Sequence, residues 1–190
     1  MGAQEMMSKL RGIYVITDEQ LVPGRTHIDI ARAALAGGAR VIQLRDKFAS
    51  DDYLIQVGHV IRELTQNSGA IFIVNDRIEV ALACNADGIH VGQSDQPAAQ
   101  LRALIPDKII GVSVTTLEEA KQALADTADY IGVGPVFATS TKPDAGKPLG
   151  LDGIAEIRSA IPSLPIVAIG GINEHNIAEV TKAGADAASV

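Results

Sequence analysis

The sequence has 190 residues, of which 47% are hydrophobic and 3% aromatic, and its 16 lysines and arginines against 23 aspartates and glutamates give a net charge of −7. This composition indicates one soluble globular domain and excludes a disordered chain, and no apolar run approaches the roughly 20 residues that cross a bilayer. The acidic balance argues against nucleic-acid and membrane partners, so a bound anion needs a local cluster of cations and backbone amides.

Cys84 is the only cysteine, so no internal disulfide can form and a cytoplasmic location is expected. It follows the apolar residues 80–83, which predicts a small buried thiol rather than a nucleophile. The first ten residues carry no recognisable export or lipid-anchoring signal.

Eight short runs rich in β-branched residues recur along the chain, separated by alanine-rich segments with helical spacing. Glycine or asparagine ends several of these segments, and Ser50, Thr116 and Asn173 are predicted helix N-caps. The alternation predicts an α/β fold, a single-domain (β/α)8 TIM barrel over residues 1–190. The predicted strands are 12–17, 40–44, 70–74, 88–91, 108–112, 130–133, 165–169 and 187–190.

The eighth unit is incomplete in this sequence, because the chain stops inside the last predicted strand. Since barrels of this kind usually have roughly 200 to 250 residues, we expect the natural chain to continue. An open, doubly wound parallel sheet is the alternative architecture, which a reversal of strand order would favour.

Polar side chains follow the second predicted strand. The segment reads Gln43, Leu44, Arg45, Asp46 and Lys47, and the two-residue period of a strand places Gln43, Arg45 and Lys47 opposite Leu44. If Leu44 faces the helices, the other three point into the mouth of the barrel, where inward cations need an anionic partner. We therefore interpret the segment as a phosphate-binding site. Pairing of Arg45 and Lys47 with Asp46 or other rim carboxylates is the alternative.

Carboxylates mark the ends of the third and fourth predicted strands. Asn75 and Asp76 follow the third strand, and Asp95 follows the fourth. Because neighbouring strands lie about 4.8 Å apart, Asp76 and Asp95 can converge on one cation. Oxygen ligands without a Cys or His cluster favour Mg²⁺ over zinc. The alternative is that both aspartates are helix caps.

A long polar loop, 138–148, follows the sixth predicted strand. It contains Thr139, Ser140, Thr141 and Lys142, a run of phosphate donors with one positive charge. We interpret it as a lid over the site. A surface loop that is polar only because it is solvated is the alternative.

Ser113 and a pair of glycines complete the predicted site. Ser113 ends the fifth strand, and Gly170 and Gly171 follow the seventh. In barrels the loops after strands seven and eight often bind phosphate, and glycines let the backbone of a helix N-terminus approach an anion. The histidines carry less information: His27, His59 and His175 are expected at the surface, and His90 is expected in the barrel interior as a hydrogen-bonded core residue rather than a catalytic one.

Six linked motifs make the chain resemble the thiamine phosphate synthase family over nearly its whole length and in the right order. They are 43–47, 75–76, 88–95, 111–113, 132–137 with 139–142, and 169–172. The resemblance implies an enzyme with a (β/α)8 barrel that joins a hydroxymethylpyrimidine diphosphate to a thiazole phosphate and releases pyrophosphate. It implies a dissociative mechanism, in which pyrophosphate leaves before the thiazole nitrogen attacks.

The resemblance also implies roles for individual residues. Ser113 would contact the pyrimidine, Asp76 and Asp95 would bind Mg²⁺, and Arg45, Lys47, Ser113 and Lys142 would be the catalytic residues. The pyrimidine diphosphate would be bound by Gln43, Leu44, Arg45, Asp46, Lys47, Asn75 and Lys142, and the thiazole phosphate by Thr139, Ser140, Thr141 and Gly171.

The sequence departs from the family pattern at its end, where the Ile-Ser or Val-Ser pair expected just past Val190 to help bind the thiazole phosphate is absent. A thiazole tautomerase with the same barrel is an alternative, but it is expected to lack the paired aspartates and the basic segment 43–47. A non-catalytic phosphate-binding barrel is the other alternative. The expected partners are small phosphorylated molecules, with a homo-oligomer as a possibility.

Overall fold

The computed structural model of the protein describes residues 10–139, 141 and 146–190. Eight parallel strands follow one another around a closed barrel. Ile13 of the first strand pairs with Ala188 of the last, which excludes the open doubly wound sheet and confirms the eight predicted strands. The strands are β1 (Gly12–Thr17), β2 (Val41–Leu44), β3 (Ile71–Asn75), β4 (Gly88–Val91), β5 (Ile109–Val114), β6 (Tyr130–Val133), β7 (Ile166–Ile169) and β8 (Ala187–Ser189).

Seven helices lie in the described part of the chain. Ser50 and Thr116 are N-caps as predicted, because their side chains accept the backbone N–H of Tyr53 and Glu119. Asn173 is not an N-cap, since the last helix begins after Asn176. The helices are α1 (His27–Ala36), α2 (Asp51–Ser68), α3 (Ile78–Ala83), α4 (Ala98–Leu104), α5 (Leu117–Ala125), α6 (Gly150–Ala160) and α7 (Ile177–Lys182).

Both faces of the strands are buried, which is why the strands read as short apolar runs. Inward side chains such as Tyr14, Ile73, Ile109, Tyr130 and Val167 fill the barrel interior. The alternate side chains pack against the helices in two larger outer clusters. The interior is therefore a packed core below the mouth, where the carboxyl ends of the strands meet.

The floor of the barrel, at the amino ends of the strands, repeats one arrangement three times. An aspartate precedes each of β4, β6 and β8, and its carboxylate accepts a backbone N–H from the preceding strand at 2.8, 2.8 and 2.9 Å. An arginine from α2, α4 or α6 binds the same carboxylate. We call these the three floor pairs: Arg62–Asp87, Arg102–Asp129 and Arg158–Asp186.

Cys84 is 1% exposed, and a Cβ added to Gly58 of α2 would come within 2.8 Å of its Sγ. The predicted small buried thiol is confirmed, and burial raises the pKa of that thiol. Among the described residues, none of the helices combines the length and apolar character needed to cross a membrane.

Candidate active site

The inward face of β2 contributes the first side chain of the candidate site. Gln43 is 2% exposed and donates from Nε2 to Tyr14 Oη at 2.7 Å inside the barrel. Leu44 is buried in the apolar layer between the strands and the helices, which confirms the predicted alternation. Leu44 is a predicted substrate-binding residue, but its side chain points away from the mouth, so its backbone is what it can offer a ligand there.

The two cations of segment 43–47 face carboxylates from other loops. Arg45 Nη1 binds Asp18 Oδ2 at 2.9 Å, and Asp18 directly follows β1. Lys47 Nζ lies 4.0 Å from Asp76 Oδ2, and 54% of the Lys47 side chain is exposed. Rim carboxylates therefore pair with both cations, as the alternative expects, with Asp18 beside Arg45 and Asp76 beside Lys47 rather than Asp46. Phosphate binding by the two cations stays a prediction.

Asp46 shapes the loop after β2. Its Oδ1 accepts the backbone N–H groups of Phe48 at 2.8 Å and Ala49 at 2.9 Å. Burial raises the pKa of Asp46, but these two donors together with His27 outweigh burial and hold it below its ordinary value. A carboxylate occupied in this way orders the segment 43–47, and direct contact of Asp46 with substrate stays a prediction.

His27 is fully buried, so its predicted surface position is wrong. The first turn of α1 packs against the end of β1, where His27 Nδ1 lies 2.9 Å from Thr17 Oγ1. His27 Nε2 lies 3.5 Å from Asp46 Oδ2, and Thr17 donates to the carbonyl oxygen of Gln43 at 3.3 Å. His27 therefore connects the end of β1 to the segment 43–47.

Asp76 and Asp95 meet at the mouth, as the sequence predicts. Burial, the negative charge of Asp95 and a hydrogen bond between the two carboxyl groups raise the pKa of Asp76 to about 6, although Lys47 and Asn75 act in the opposite direction. Asp76 has a left-handed backbone with φ 59°, and its N–H donates to the carbonyl of His90 at 2.9 Å. The backbone conformation of Asp76 thus places its carboxylate beside the Asp95 carboxylate of the next loop.

The helix-cap alternative for these aspartates is wrong. The N-caps of α3 and α4 are Arg77 and Pro97, and neither helix has a side-chain hydrogen bond at its cap. Asp95 instead accepts the backbone N–H of Gly92 at 2.7 Å. Neither carboxylate is therefore needed to begin a helix.

The carboxylate pair suits a hard cation, because all of its donors are oxygens. Within the described ranges, no group of three or more His, Cys, Asp or Glu side chains converges on one point. Two carboxylates are a low count for Mg²⁺, which usually keeps waters and takes further oxygens from a phosphate ligand. The residues therefore fit a cation that is completed by a substrate rather than one enclosed by protein.

Ser113 lies inside the mouth on β5 and is half-buried. Its Oγ lies 2.8 Å from His90 Nε2, and its carbonyl oxygen accepts from Gln93 Nε2 at 2.7 Å. His90 faces the interior and also contacts Tyr130 Oη through Nδ1 at 2.9 Å. The expectation of a hydrogen-bonded interior histidine is confirmed.

The loops after β6 and β7 lie side by side. The backbone of Phe137 donates to the carbonyl of Gly170 at 3.0 Å, and a Cβ added to Gly171, where φ is 65°, would come within 2.8 Å of Ala138 O. Thr139 accepts the backbone N–H of Thr141 at 3.2 Å. Thr139, Thr141 and Gly171 thus belong to adjoining loops.

Two predictions for these loops need qualification. Ser140 and Lys142 lie outside the described residues. Gly171 is not at a helix N-terminus, because a turn through Asn173 and Asn176 separates it from α7, and Asn176 Nδ2 donates to the Gly171 carbonyl at 3.0 Å. The two glycines serve close packing of the loops.

Comparison with known proteins decides the family. Residues 13–190 match the family described as thiamine monophosphate synthase. The chain belongs to the thiamine monophosphate synthase family. It is 54% identical over 178 residues to the thiamine-phosphate synthase of Chloroflexus aurantiacus, covering 94% of this chain and 82% of the relative. It is 53% identical over 179 residues to that of Moorella thermoacetica, covering 94% and 85%.

Solved structures agree with this family. A thiamine phosphate pyrophosphorylase from Pyrococcus furiosus superposes with a TM-score of 0.89 at 43% identity, covering 97% of this chain and 87% of that one. An N-acetylmannosamine-6-phosphate 2-epimerase from Clostridium perfringens gives a TM-score of 0.73 at 15% identity, covering 97% and 88%. At that identity the second likeness concerns the barrel fold alone.

Sequence reasoning about this thiamine monophosphate synthase family member missed Asp18, Tyr14 and Tyr130 as parts of the site. Asp18 gave no signal, because a lone aspartate after a strand is ordinary. The tyrosines did give one: the chain has three tyrosines, and two of them stand at inward positions of predicted strands, where a hydroxyl needs a partner.

Proposed function

We propose that this chain catalyses thiamine phosphate synthesis, joining a pyrimidine carried as its methylene diphosphate to a thiazole phosphate and releasing pyrophosphate. The observation that carries the proposal is the position of the paired carboxylates Asp76 and Asp95 beside Lys47, at one mouth of the barrel. Such a mixture of charges suits a diphosphate together with a divalent cation. Family membership supplies the identity of the two substrates.

The diphosphate is assigned to the cationic side of the mouth. Gln43 lies in β2 and Asn75 ends β3, which are neighbours in the barrel. Arg45 and Lys47 follow β2, and Lys142 is added from the sequence. Asp18 holds Arg45 in place, so Arg45 needs no large rearrangement to meet a phosphate oxygen. Positioned cations stabilise the charge that develops on a leaving pyrophosphate.

Asp76 and Asp95 would hold Mg²⁺. The raised pKa of Asp76 supports this assignment, because beside burial, its largest cause, it reflects a second carboxylate brought close without a cation between the two. When bound, Mg²⁺ would supply positive charge to the diphosphate oxygens.

Breaking and forming the bonds of this reaction requires little acid or base catalysis from the protein. The bond between the pyrimidine methylene carbon and the diphosphate oxygen breaks, its electron pair leaves with pyrophosphate, and the thiazole nitrogen forms the new bond to that carbon. Ser113 contacts the pyrimidine, while Thr139, Ser140, Thr141 and Gly171 bind the thiazole phosphate. Holding the nucleophile close to the carbon is the main contribution of these residues.

The test is pyrophosphate release from the two substrates with and without Mg²⁺. We expect release only when both substrates and Mg²⁺ are present, and at least about a hundredfold slower release for Asp95→Asn, since loss of even a hydrogen-bonding partner of a metal ligand typically costs about 10- to 100-fold. The asparagine keeps an oxygen for the Gly92 N–H. An inactive wild-type chain would contradict the proposed reaction.

Calorimetry separates the metal site from the reaction. Mg²⁺ and pyrophosphate should bind better together than apart to the wild-type chain, and Asp76→Asn or Asp95→Asn should remove that coupling. Equal Mg²⁺ binding in all three proteins would contradict the metal assignment while leaving the transferase reaction standing. The homo-oligomer and the cytoplasmic location remain predictions from the sequence.

A further inference from the structure

Five side chains form a continuous hydrogen-bonded chain across the barrel interior. Its links are Gln43 Nε2 to Tyr14 Oη at 2.7 Å, Tyr14 Oη to Tyr130 Oη at 2.9 Å, Tyr130 Oη to His90 Nδ1 at 2.9 Å, and His90 Nε2 to Ser113 Oγ at 2.8 Å. We call this the interior chain. Gln43 and Ser113, its two ends, are the residues that the proposed function places on the pyrimidine substrate, whereas its three middle residues have no role there.

One order of the protons gives the Tyr14 hydroxyl proton a partner, whereas by geometry alone either side could donate in the Tyr14–Tyr130 contact and in both His90 contacts. The Gln43 amide donates to Tyr14 Oη, and in this order the Tyr14 proton goes to Tyr130 Oη. The Tyr130 proton then goes to His90 Nδ1, which makes Nδ1 an acceptor and places the proton of the neutral imidazole on Nε2. Both phenols keep their protons at neutral pH, because burial raises a pKa that is already high in an ordinary tyrosine.

The order of the protons determines whether the Ser113 hydroxyl can donate to a ligand. In this order His90 Nε2–H donates to Ser113 Oγ, and the hydroxyl proton of Ser113 is not used inside the chain. A hydroxyl that accepts from one side has its own proton to donate toward the mouth, where a ligand would bind. The Ser113 side chain would then be a donor before any substrate binds.

Two glycines make space for the rings of the interior chain. A Cβ added to Gly111 would lie 2.1 Å from Tyr130 Cζ, and one added to Gly132 would lie 3.0 Å from His90 Cε1. Gly111 pairs with His90 on one side and with Tyr130 on the other. Its missing side chain leaves the space between these two residues open. Two inward strand positions are thus left without side chains beside these two rings.

We propose that Tyr14, Tyr130 and His90 are positioning residues that fix the Ser113 hydroxyl as a hydrogen-bond donor to an acceptor atom of the substrate, such as a pyrimidine ring nitrogen. This inference rests on the proposed function for the identity of the substrate. The order of the protons depends only on groups of the protein and not on the substrate. A site built in this way favours a substrate with an acceptor at that point over an isostere that presents a donor, because two facing donors leave a buried polar group unpaired.

The first test reads the His90 tautomer directly by ¹⁵N NMR of wild-type protein labelled at histidine, with His90→Gln used to assign the signal. We expect Nε2 to carry the proton and Nδ1 to have the shift of an unprotonated nitrogen. A proton on Nδ1 would reverse the interior chain and overturn the proposal. This measurement needs no substrate, so its result does not depend on the proposed reaction.

The second test removes one link with Tyr130→Phe, which keeps the ring beside Gly111. We expect kcat/KM for the pyrimidine diphosphate to fall about tenfold, KM for the thiazole phosphate to stay unchanged, and the His90 signal to shift. Tyr53→Phe removes an exposed hydroxyl that donates to Glu19 and is the matched control, with unchanged kinetics.

The outcomes separate the two proposals. Unchanged kcat/KM in Tyr130→Phe, with an active wild type, would overturn the positioning role while leaving the function intact. If Tyr130→Phe impaired binding of both substrates equally, with KM for the thiazole phosphate rising as much as KM for the pyrimidine diphosphate, Tyr130 would have a merely structural role. That result would also overturn the positioning role. An inactive wild type would contradict the proposed function and with it the positioning role, and the tautomer would still decide the order of the protons.

Discussion

At the floor of the barrel, each aspartate of the three floor pairs binds an arginine and a strand N–H, as Asp186 does with Arg158 and Ile166. At the mouth, Asp76 and Asp95 face each other, and Lys47 is 4.0 Å from Asp76. Both sets of aspartates stand at strand ends. They differ in how fully the protein supplies the opposite charge: each floor aspartate has its own arginine, whereas the two mouth aspartates have one exposed lysine at 4.0 Å between them.

The difference separates a charge that stabilises the fold from one that serves a ligand. At the floor the negative charge is neutralised where the strands begin, so it contributes to stability. At the mouth, burial and the nearby Asp95 carboxylate together raise the pKa of Asp76 to about 6. The repulsion between the two carboxylates costs stability in the free protein, and a bound cation would remove that cost.

The largest expected effect comes from breaking a floor pair with Arg158→Met. Arg158 donates to Asp186 and to the carbonyls of Gly184, Pro162 and Leu164, so its loss leaves a partly buried carboxylate without its cation. Removing one partner of a buried pair costs about 3–5 kcal/mol, and partial exposure reduces this to about 2–3 kcal/mol. Urea unfolding measures the change, while turnover per folded molecule should be unaffected.

Arg32→Met on the exposed face of α1 is the control for that experiment. We expect it to change the free energy of unfolding by less than about 0.5 kcal/mol. If both variants were equally stable, or if Arg158→Met lowered the turnover of the folded protein, the floor would not be the purely structural end of the barrel.

The fold could be predicted from sequence because it depends on local, repeated signals. Each strand is a short apolar run, and Ser50 and Thr116 begin helices by bonding to residues three positions away. The paired aspartates could also be predicted, since their distance follows from strand order. The features that could be predicted are therefore those that depend on residues close in sequence or on the regular geometry of the barrel.

The rest of the site depends on contacts between distant segments. Arg45 meets Asp18 across 27 positions, and Tyr14 meets Tyr130 across 116. His27 was expected at the surface because a polar residue at a helix start is usually solvated; the packing of α1 against β1 decides otherwise. No local pattern encodes which loop side chain neutralises which cation.

A smaller effect is expected from Lys47→Ala, which removes the cation nearest to Asp76. A charge-assisted contact to a diphosphate is worth roughly 1.5–3 kcal/mol, so we expect kcat/KM for the pyrimidine diphosphate to fall at least about tenfold. The pKa of Asp76 should also rise further, because Lys47 lowers it in the wild type. Steady-state kinetics and NMR titration of the carboxyl group measure the two effects.

Lys121→Ala on the exposed face of α5 is the matched control and should leave both quantities unchanged. A Lys47→Ala protein with wild-type kinetics would show that Lys47 is a solvated surface cation. The mouth would then be defined by its carboxylates alone, and the contrast with the floor would rest on Asp76 and Asp95.

The smallest effect concerns the stability of the metal-free protein. The pKa of Asp76 is about 6 in the folded chain against 3.8 for an ordinary aspartate, so between these pH values the folded state binds more protons than the unfolded one. Stability is therefore lost as the pH rises from about 4 through 6, and the loss persists above 6. Asp76→Asn lacks this loss and should be more stable than the wild type at pH 8 without Mg²⁺.

The expected gain for Asp76→Asn is about 1 kcal/mol. Each unit of pKa difference corresponds to ~1.4 kcal/mol, and solvent screening reduces the effect because 25% of the Asp76 side chain is exposed. Asparagine also tolerates the left-handed backbone at this position, a benefit that does not change with pH. Urea unfolding at pH 8 and near pH 4 separates the two causes: a penalty on the charged Asp76 from burial and Asp95 predicts that the gain disappears at the lower pH. A gain of equal size at both pH values would mean that the charged form of Asp76 is not destabilised in the folded protein, and the mouth would then be as well balanced as the floor.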